Sequence, residues 1–570
     1  MLQIERLADR HNNHNRELVE AVLRLYQEAF PYYPKYASRI AQLIETPIEA
    51  DFESVLLVAK GSKNRLLGFV LFFYFRDLNF AYLDYLATSK SRIGRGIGAA
   101  LYESAQQWLK GIGCQGLLMD VPTDDPKRLL DPKELKTNQK RLAFYEQYGA
   151  RPLTNTGYET IVTRANKGFF TLLVYDALSK KAKGPQKAEV AQAITRIHRI
   201  KGDMGPDDPA LLEILASLKD DPLALRPLKY AVAPKAPKVN ARPIELINIG
   251  DGHQIHHLKE KGYVEKPARI EALKEGLKGL NLIERKIQNF PIEALYAVHS
   301  RGMVQYLEQA GKRLTPKELL YPTVFPLRRA DRIPKTWDMR AGYYCIDTFT
   351  PLTANVFKAA QRAAYGALSG AKLIEEGSEL VYVMCRPPGH HAQKNAYGGF
   401  CYFNNASLAA NRLSARGKVA FIDLDYHHGN GSQDIFYQRS DVLFLSIHGH
   451  PSQAYPYFAG FADEKGEGEG VGYNVNYPLY PGIKDEEYLQ TLQKAIRRIR
   501  KSNAQYLVVS LGLDIMTGDP TGSFFITKEG MFEIGKTLKS LGLPTLVVQE
   551  GGYSLKNLRT GLRHFFVGIS

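Results

Sequence analysis

The stretch VAFIDLDYHHGNGSQD, residues 419–434, decides the fold of the larger part of this chain. Its opening, VAFI, is apolar without alternation, which suits a parallel strand buried on both faces. Its continuation crowds carboxylates, imidazoles and amides where that strand ends. The pattern recurs on both sides of it. Residues 380–384 lead to RPPGHH (386–391), 506–511 to GLDIMTGDP (512–520) and 545–549 to EGGYS (550–554), with 442–447 a further apolar run. Helical stretches at 406–416, 486–500 and 528–541 lie between them and suit right-handed crossovers. The order predicts an α/β domain with a central parallel sheet flanked by helices. Ligands of such sheets bind beyond the carboxyl ends of the strands, so four polar strand ends converge on one site.

The residue types there sort into roles. Asp425, His427 and Asp514 offer two carboxylate oxygens and one imidazole nitrogen. Three protein ligands and an open position for water describe a catalytic metal site. The Asp-x-His spacing puts both ligands on one side of an extended segment. A zinc ion so held lowers the pKa of its water to roughly 7 and polarises a carbonyl. His390 and His391 read as a proton-handling pair, with Asp423 and Asn430 as the partners that fix their tautomers. Tyr553, behind two glycines, can donate a hydrogen bond to a developing oxyanion. The bland alternative, solvated carboxylates at a strand end, fails to account for four such ends in one sheet.

RPPGHH, YGGFCYFNNA (397–406), DLDYHHGNGSQ, GLDIMTGDP and EGGY resemble the histone deacetylase family of the arginase–deacetylase fold, over about 320 residues. Within it, SIHGHPSQAYPYFAGFADEKGEGEGVGYNVNYPL (446–479), VVSLGLD (508–514) and RAGYYCIDTFTPLT (340–353) look most like the bacterial acetylpolyamine amidohydrolases. The resemblance implies one zinc per chain on Asp425, His427 and Asp514. It makes His390 and His391 general base and acid and Tyr553 the transition-state tyrosine. Asp347 matches a rim carboxylate that holds the substrate backbone. Gly399, Phe400 and Tyr455 match the wall of the acyl tunnel. Asp423, Asp425, His427 and Ser446 match an inner monovalent-cation site for K⁺. The similarity also implies a homodimer.

Two features of this chain bear on substrate and mechanism. Asn430 stands where some relatives have Asp, which weakens His391 as a base. The insert PTVFPLRRADRIPKTWDMR (322–340) is basic, which argues against a polycationic substrate and leaves acetyl-lysine or another acetylated amine open. His428 reads as a packed neighbour of His427, and Cys401 as a core or tunnel-wall residue. The two-metal ureohydrolases share this fold but need a second carboxylate-rich metal site, for which DLDYHHGN and GLDIMTGD lack the residues.

Residues 1–165 have a different texture. YLDYLATSKSRIGRGIGAAL (82–101) is an apolar strand, a Gly-rich turn and a helix, an arrangement that faces backbone amides toward an anion. It lacks the Gly-Lys-Ser/Thr ending of a phosphate-binding loop. With NQKRLAFYEQYGARPL (138–153), this turn resembles the GNAT acetyltransferases. The match implies acetyl-CoA, with Arg95, Gly96, Ile97 and Gly98 cradling the pyrophosphate and Tyr145 protonating the departing thiolate. Ile93 stands where that family usually has Gln or Arg. Asp84 is a candidate base, and a core aromatic is the competing reading for Tyr145.

The 570 residues exceed a single core. We divide them into a smaller GNAT-like mixed α/β domain (1–165), a Lys-, Ala-, Pro- and Gly-rich linker with a helical segment at 209–218 (166–240) and the deacetylase-like domain (241–570); the first boundary stays open, since 169–174 also reads as a last strand of the first domain. The formal net charge of +16 suggests polyanion contact, but the positives are spread along the chain and no DNA-reading motif occurs. The expectation is a generally basic surface without a nucleic-acid role. No long apolar run or signal peptide is present, and four scattered cysteines make no disulfide framework, which fits a reduced, cytoplasmic setting. The expected function is a zinc deacetylase acting on a small acetylated amine or an acetyl-lysine protein. It is fused to a domain that either transfers acetyl from acetyl-CoA or senses CoA without catalysis.

Overall fold

The computed structural model describes residues 3–7, 13–31, 36–49, 51–61, 65–89, 97–129, 131–159, 171–178, 184–201, 205–230, 242–258 and 263–570. The chain forms two units, Met1–Lys235 and Ala236–Ser570. No helix among the described residues is long and apolar enough to cross a membrane.

The sheet of the first unit consists of β1 (Gln3–Arg6), β2 (Glu53–Lys60), β3 (Leu66–Phe75), β4 (Phe80–Thr88), β5 (Gly116–Pro122), β6 (Arg151–Pro152) and β7 (Thr171–Ala177). Its order is β1-β2-β3-β4-β5-β7-β6. All neighbours are antiparallel except β4 and β5. That parallel pair is registered only from Phe80↔Gly116 to Leu83↔Met119, so the two strands part beyond it. The β3–β4 register skips Asp84, a bulge that re-aims a side chain and interrupts the ladder. Both faces of the sheet are covered, with Tyr82 and Leu118 in one core and Ala81, Leu83 and Leu117 in the other.

For 166–240 the structure has the expected helical segment and a last strand, and adds one helix that the linker reading did not include. β7 completes the first sheet by pairing with β5. The helix Lys187–Lys201 buries Val190, Ile194 and Ile197 against Phe80, Tyr82 and Leu118, and Pro209–Ser217 adds Leu211 and Ile214 to the same core. The Lys- and Pro-rich flanks masked the 3.6-residue apolar period of Lys187–Lys201, which is what commits that helix to the sheet.

The second unit is built on β8 (Ile244–Asn248), β9 (Leu282–Arg285), β10 (Leu380–Met384), β11 (Val419–Asp423), β12 (Val442–Gly449), β13 (Asn474–Leu479), β14 (Tyr506–Leu511) and β15 (Thr545–Gln549). All neighbours in the order β13-β12-β11-β14-β15-β10-β8-β9 are parallel. The inner strands β10, β11, β12, β14 and β15 are buried on both faces. Tyr382, Ala420 and Ile422 meet the helices Asp485–Lys501, Lys528–Lys539 and Leu555–Ile569, while Val383, Phe421 and Val548 meet Val356–Glu375 and Asn405–Ser414. From β11 the chain adds β12 and β13 on one side, then returns to add β14 and β15 on the other. The boundary between β11 and β14 is therefore the topological switch point, where a crevice opens beyond the strand ends.

Candidate active site

The crevice at that switch point is lined by the residues that follow β11 and β14. Asp425, His427 and Asp514 bring one donor atom each to within 4.8 Å of one another. His427 Nδ1 lies 3.2 Å from Asp425 Oδ1 and 3.1 Å from Asp514 Oδ2. Backbone amides fix the carboxylates: Asp425 accepts from Gly551 N at 2.8 Å and His427 N at 2.9 Å, and Asp514 from Tyr426 N at 3.0 Å. Glycine is required behind them. A Cβ on Gly551 would stand 2.6 Å from Asp425 Oδ2 and 2.7 Å from Asp514 Oδ2. Burial disfavours charge here, yet His390 and His427 hold Asp425 below the usual carboxylate range. Burial and the neighbouring Asp425 raise Asp514. Two hard oxygens and one imidazole nitrogen, anchored from behind, fit a divalent ion with an open coordination position.

The two histidines after β10 have unlike partners. His390 Nδ1 lies 3.0 Å from Asp423 Oδ2, and His391 Nδ1 lies 2.7 Å from Asn430 Oδ1. Burial lowers the pKa of both, but for His390 the carboxylates of Asp425 and Asp423 outweigh it and raise the value to about 10. His391 has no such carboxylate partner. Burial, with the charges of His390 and His427, pushes it well below the ordinary value. The pair thus holds one proton on His390 and leaves His391 neutral. Gly399 backs the His391 ring at φ +56°, and a Cβ there would fall 2.2 Å from His391 Cδ2.

Tyr553 follows β15 and is held at three points. Its backbone N–H donates to Asp519 Oδ2 at 2.7 Å. The Arg269 guanidinium lies over its ring at 4.9 Å and donates to Glu550 O at 2.5 Å and Gly552 O at 2.7 Å, on either side of the glycine turn. Neither Asp519 nor Arg269 figured among the sequence candidates. Asp519 sits inside the quoted GLDIMTGDP, whereas Arg269 is distant in sequence and carries no motif. Glu550 was likewise missed. It is fully buried, and its Oε2 accepts from Gly389 N at 2.6 Å and His390 N at 3.2 Å, so it anchors the histidine turn. His390, Cys401 and Glu550 form a second cluster of ligand-type side chains. Burial pushes the Cys401 thiol well above its ordinary pKa, and the Glu550 oxygens already accept internal donors, so this cluster is unsuited to a metal.

Asp347 is placed differently from the rim position expected of it. It is buried, and its two oxygens accept from Phe349 N, Thr350 N, Thr350 Oγ1, Gly399 N and Tyr455 OH at 2.6–3.1 Å. These five donors use its lone pairs, so it braces the channel wall instead of presenting a carboxylate to a ligand. The wall is aromatic. Tyr455 meets the His391 ring edge-on at 4.8 Å, and Phe349 stands between Tyr455 and Phe400 at 5.7 and 5.8 Å. Phe400 also approaches Tyr553 at 6.0 Å. Phe349 is a wall residue that the sequence reading passed over within CIDTFTP. His428 points away from His427: its ring lies 4.4 Å from His448, and its Nδ1 is 3.3 Å from Ser446 Oγ.

In the first unit, Arg95 and Gly96 lie outside the described residues. Ile97 and Gly98 open the helix Ile97–Gly111, and the Ile97 side chain is core. Tyr145 is buried in that same core, against Tyr102 at 5.2 Å and Phe144 at 5.1 Å, and burial raises its hydroxyl to about 12. Asp84 belongs to the other face, where Tyr36 donates to it at 2.8 Å. The structure therefore does not bring the two candidates together.

Comparison with known proteins locates both units. A family model for the histone deacetylase domain matches residues 263–569, and one for the acetyltransferase (GNAT) family matches residues 19–129. Acetylpolyamine amidohydrolase 2 of Pseudomonas aeruginosa is 42% identical over 322 residues, 54% of this chain and 94% of that protein. Histone deacetylase 8 of Xenopus laevis is 34% identical over 229 residues, 39% of this chain and 68% of that protein. A crystal structure of acetylpolyamine aminohydrolase from Burkholderia pseudomallei superposes with a TM-score of 0.55 at 35% identity, covering 57% of this chain and 98% of that one.

Proposed function

The chain belongs to the histone deacetylase family through residues 263–569, and from that membership we propose that its second unit is a zinc-dependent deacetylase of N-acetyl amines. One observation carries the reading: Asp425, His427 and Asp514 converge beside His390, His391 and Tyr553 at the sheet's switch point. Asp425, His427 and Asp514 would hold one zinc, which when bound polarises the amide carbonyl and acidifies a water.

The chain's own residues do the rest. His391, neutral and backed by Gly399, takes the base's part that the resemblance gives to His390: it accepts the proton of the attacking water at Nε2, while Asn430 Oδ1 holds its Nδ1–H. His390, charged against Asp423, holds a proton for the leaving amine. Tyr553, fixed by Asp519 and Arg269, donates its hydroxyl to the oxygen on which charge develops. A preorganised donor of that kind is worth about 10²–10³ in rate. Tyr455, Phe349 and Phe400 present an apolar passage that suits the alkyl stem of an acetylated amine. Asp423 and Ser446 are cross-strand neighbours on β11 and β12, a placement that supports a K⁺ site shared with Asp425 and His427.

The relatives are named for acetylpolyamines and for histones, and both acetylpolyamines and acetyl-lysine are carried into the proposal as substrates. The first unit is proposed to bind acetyl-CoA at the N-terminus of Ile97–Gly111 and to transfer its acetyl group to an amine. Acetate release from a panel of acetyl-lysine peptides and acetylated polyamines tests the deacetylase reading. Wild-type protein releases acetate from at least one member, and Tyr553→Phe and Asp425→Asn reduce it a hundredfold or more. A zinc-loaded wild type inert toward the whole panel overturns it.

A further inference from the structure

Where β4 and β5 part, beyond Leu83 and Met119, two carboxylates stand in the gap of the first unit. Asp84 occupies the β4 bulge, and its side chain is wholly buried at 0% exposure. Its Oδ2 accepts from Tyr36 OH at 2.8 Å, while Oδ1 has no hydrogen-bond partner among the described residues. Asp120 on β5 accepts from Tyr82 OH at 3.0 Å and from Tyr158 OH at 2.8 Å. Between the two lies the ammonium of Lys201, the last residue of the helix Lys187–Lys201. Its Nζ is 3.7 Å from Asp84 Oδ1 and 3.4 Å from Asp120 Oδ2, and it donates to Tyr82 OH at 2.6 Å.

The charge arithmetic explains why a cation sits there. Two buried carboxylates are costly unless a cation matches them. Burial lifts the Asp84 carboxyl to about 6, with the Lys201 charge opposing that rise. Lys201 meets this demand incompletely, because at 3.7 Å it supplies charge but no hydrogen bond to Asp84 Oδ1. The walls are aromatic. Lys201 Nζ lies 4.8 Å from the Tyr82 ring centroid, and Tyr85, next to Asp84, is packed by Tyr26, Phe30 and Tyr36 at 4.8–5.3 Å. Such rings attract alkylammonium groups through their faces. The occupant comes from a helix outside residues 19–129, the span matched by the acetyltransferase family model.

We propose that Asp84 and Asp120 form a binding site for the ammonium of a primary alkylamine, and that Lys201 is a tethered occupant competing for it. An incoming amine replaces the Lys201 ammonium between the carboxylates and donates to Asp84 Oδ1, which Lys201 leaves unbonded. This is a statement about binding. It stands whether or not the unit transfers acetyl groups and whether or not the second unit is a deacetylase.

Calorimetric titration of the full-length chain with n-butylamine hydrochloride tests it, with n-butanol as the uncharged control. Lys201→Ala removes the ammonium and the three methylenes beyond Cβ, which opens the gap between the carboxylates to the probe. The variant is expected to gain one saturable site over the wild type. Adding Asp84→Asn should weaken that site about tenfold or more, the loss of one charge-assisted hydrogen bond. Any amine binding in the second unit is common to all these proteins and cancels. Identical isotherms for wild type and Lys201→Ala overturn the proposal, as does a site that survives Asp84→Asn or accepts n-butanol equally well. Should Lys201→Ala leave the first unit unfolded, refolding becomes the readout: n-butylammonium restores it and n-butanol does not, and rescue by neither overturns the proposal.

Discussion

Gly399→Ala isolates the placement of one histidine from everything else at the site. Gly399 has φ +56°, a left-handed backbone that costs a residue with a Cβ about 1–2 kcal/mol. The larger effect is steric, since the new Cβ would lie 2.2 Å from His391 Cδ2 and 2.7 Å from Cγ. Ordinary contact requires the ring to retreat by about 1 Å, and a misplacement of that size costs about 10²-fold in rate. The retreat also stretches the 2.7 Å contact between His391 Nδ1 and Asn430 Oδ1. Overpacking adds about 1–3 kcal/mol of destabilisation. Steady-state acetate release, metal content and calorimetric unfolding are read on one preparation. The expected result is kcat down about 100-fold, KM within a few-fold, metal content unchanged and a lowered Tm. Gly279→Ala is the control: φ is +77° with nothing within 4 Å of the new Cβ, so it carries the backbone strain alone and leaves kcat intact. A Gly399→Ala enzyme with wild-type kcat refutes the role given to His391.

Asn430→Asp places a carboxylate on His391 Nδ1 and raises its folded pKa, so the acidic limb of the kcat/KM profile moves to higher pH; an unmoved limb assigns the base elsewhere. Asp347→Asn puts an amide where five donors converge, leaving at least one buried donor unmatched at about 1–3 kcal/mol. Calorimetry should show the loss, and kcat should fall with it because Gly399 and Tyr455 lose their brace. His256, His299 and His448 are neutral in the fold, each held by burial to about 4. Each folded pKa is below the unfolded value near 6.5, so their stabilisation is complete above pH 6.5 and is lost as pH falls toward 4. Tm should therefore decline through that window, and His299→Gln should flatten the decline.

Much of the site was legible because its residues sit at the ends of apolar strands. VAFI, LVVSL and TLVVQ announce buried parallel strands, and the sheet then forces Asp425, Asp514 and Tyr553 to converge. What the sequence concealed depends on long-range packing. Asp347 reads as a rim carboxylate by resemblance, and only the fold shows Gly399 N and Tyr455 OH turning toward it. Arg269 reaches the glycine turn from 281 residues away, with no local signal. The helix Lys187–Lys201 carried its signal in Val190, Ile194 and Ile197, but its charged and Pro-rich surroundings suggested a linker. Lys201 then emerges between Asp84 and Asp120, an encounter of three segments that no spacing records.

Zinc titration of the chelator-stripped, full-length chain tests the central claim most directly, with acetate release followed at each addition. Activity is predicted to be absent without metal, to rise linearly and to break at one equivalent, with Asp514→Asn inactive at every addition. Activity that persists in the metal-free protein, or a break at two equivalents, contradicts a single zinc held by Asp425, His427 and Asp514.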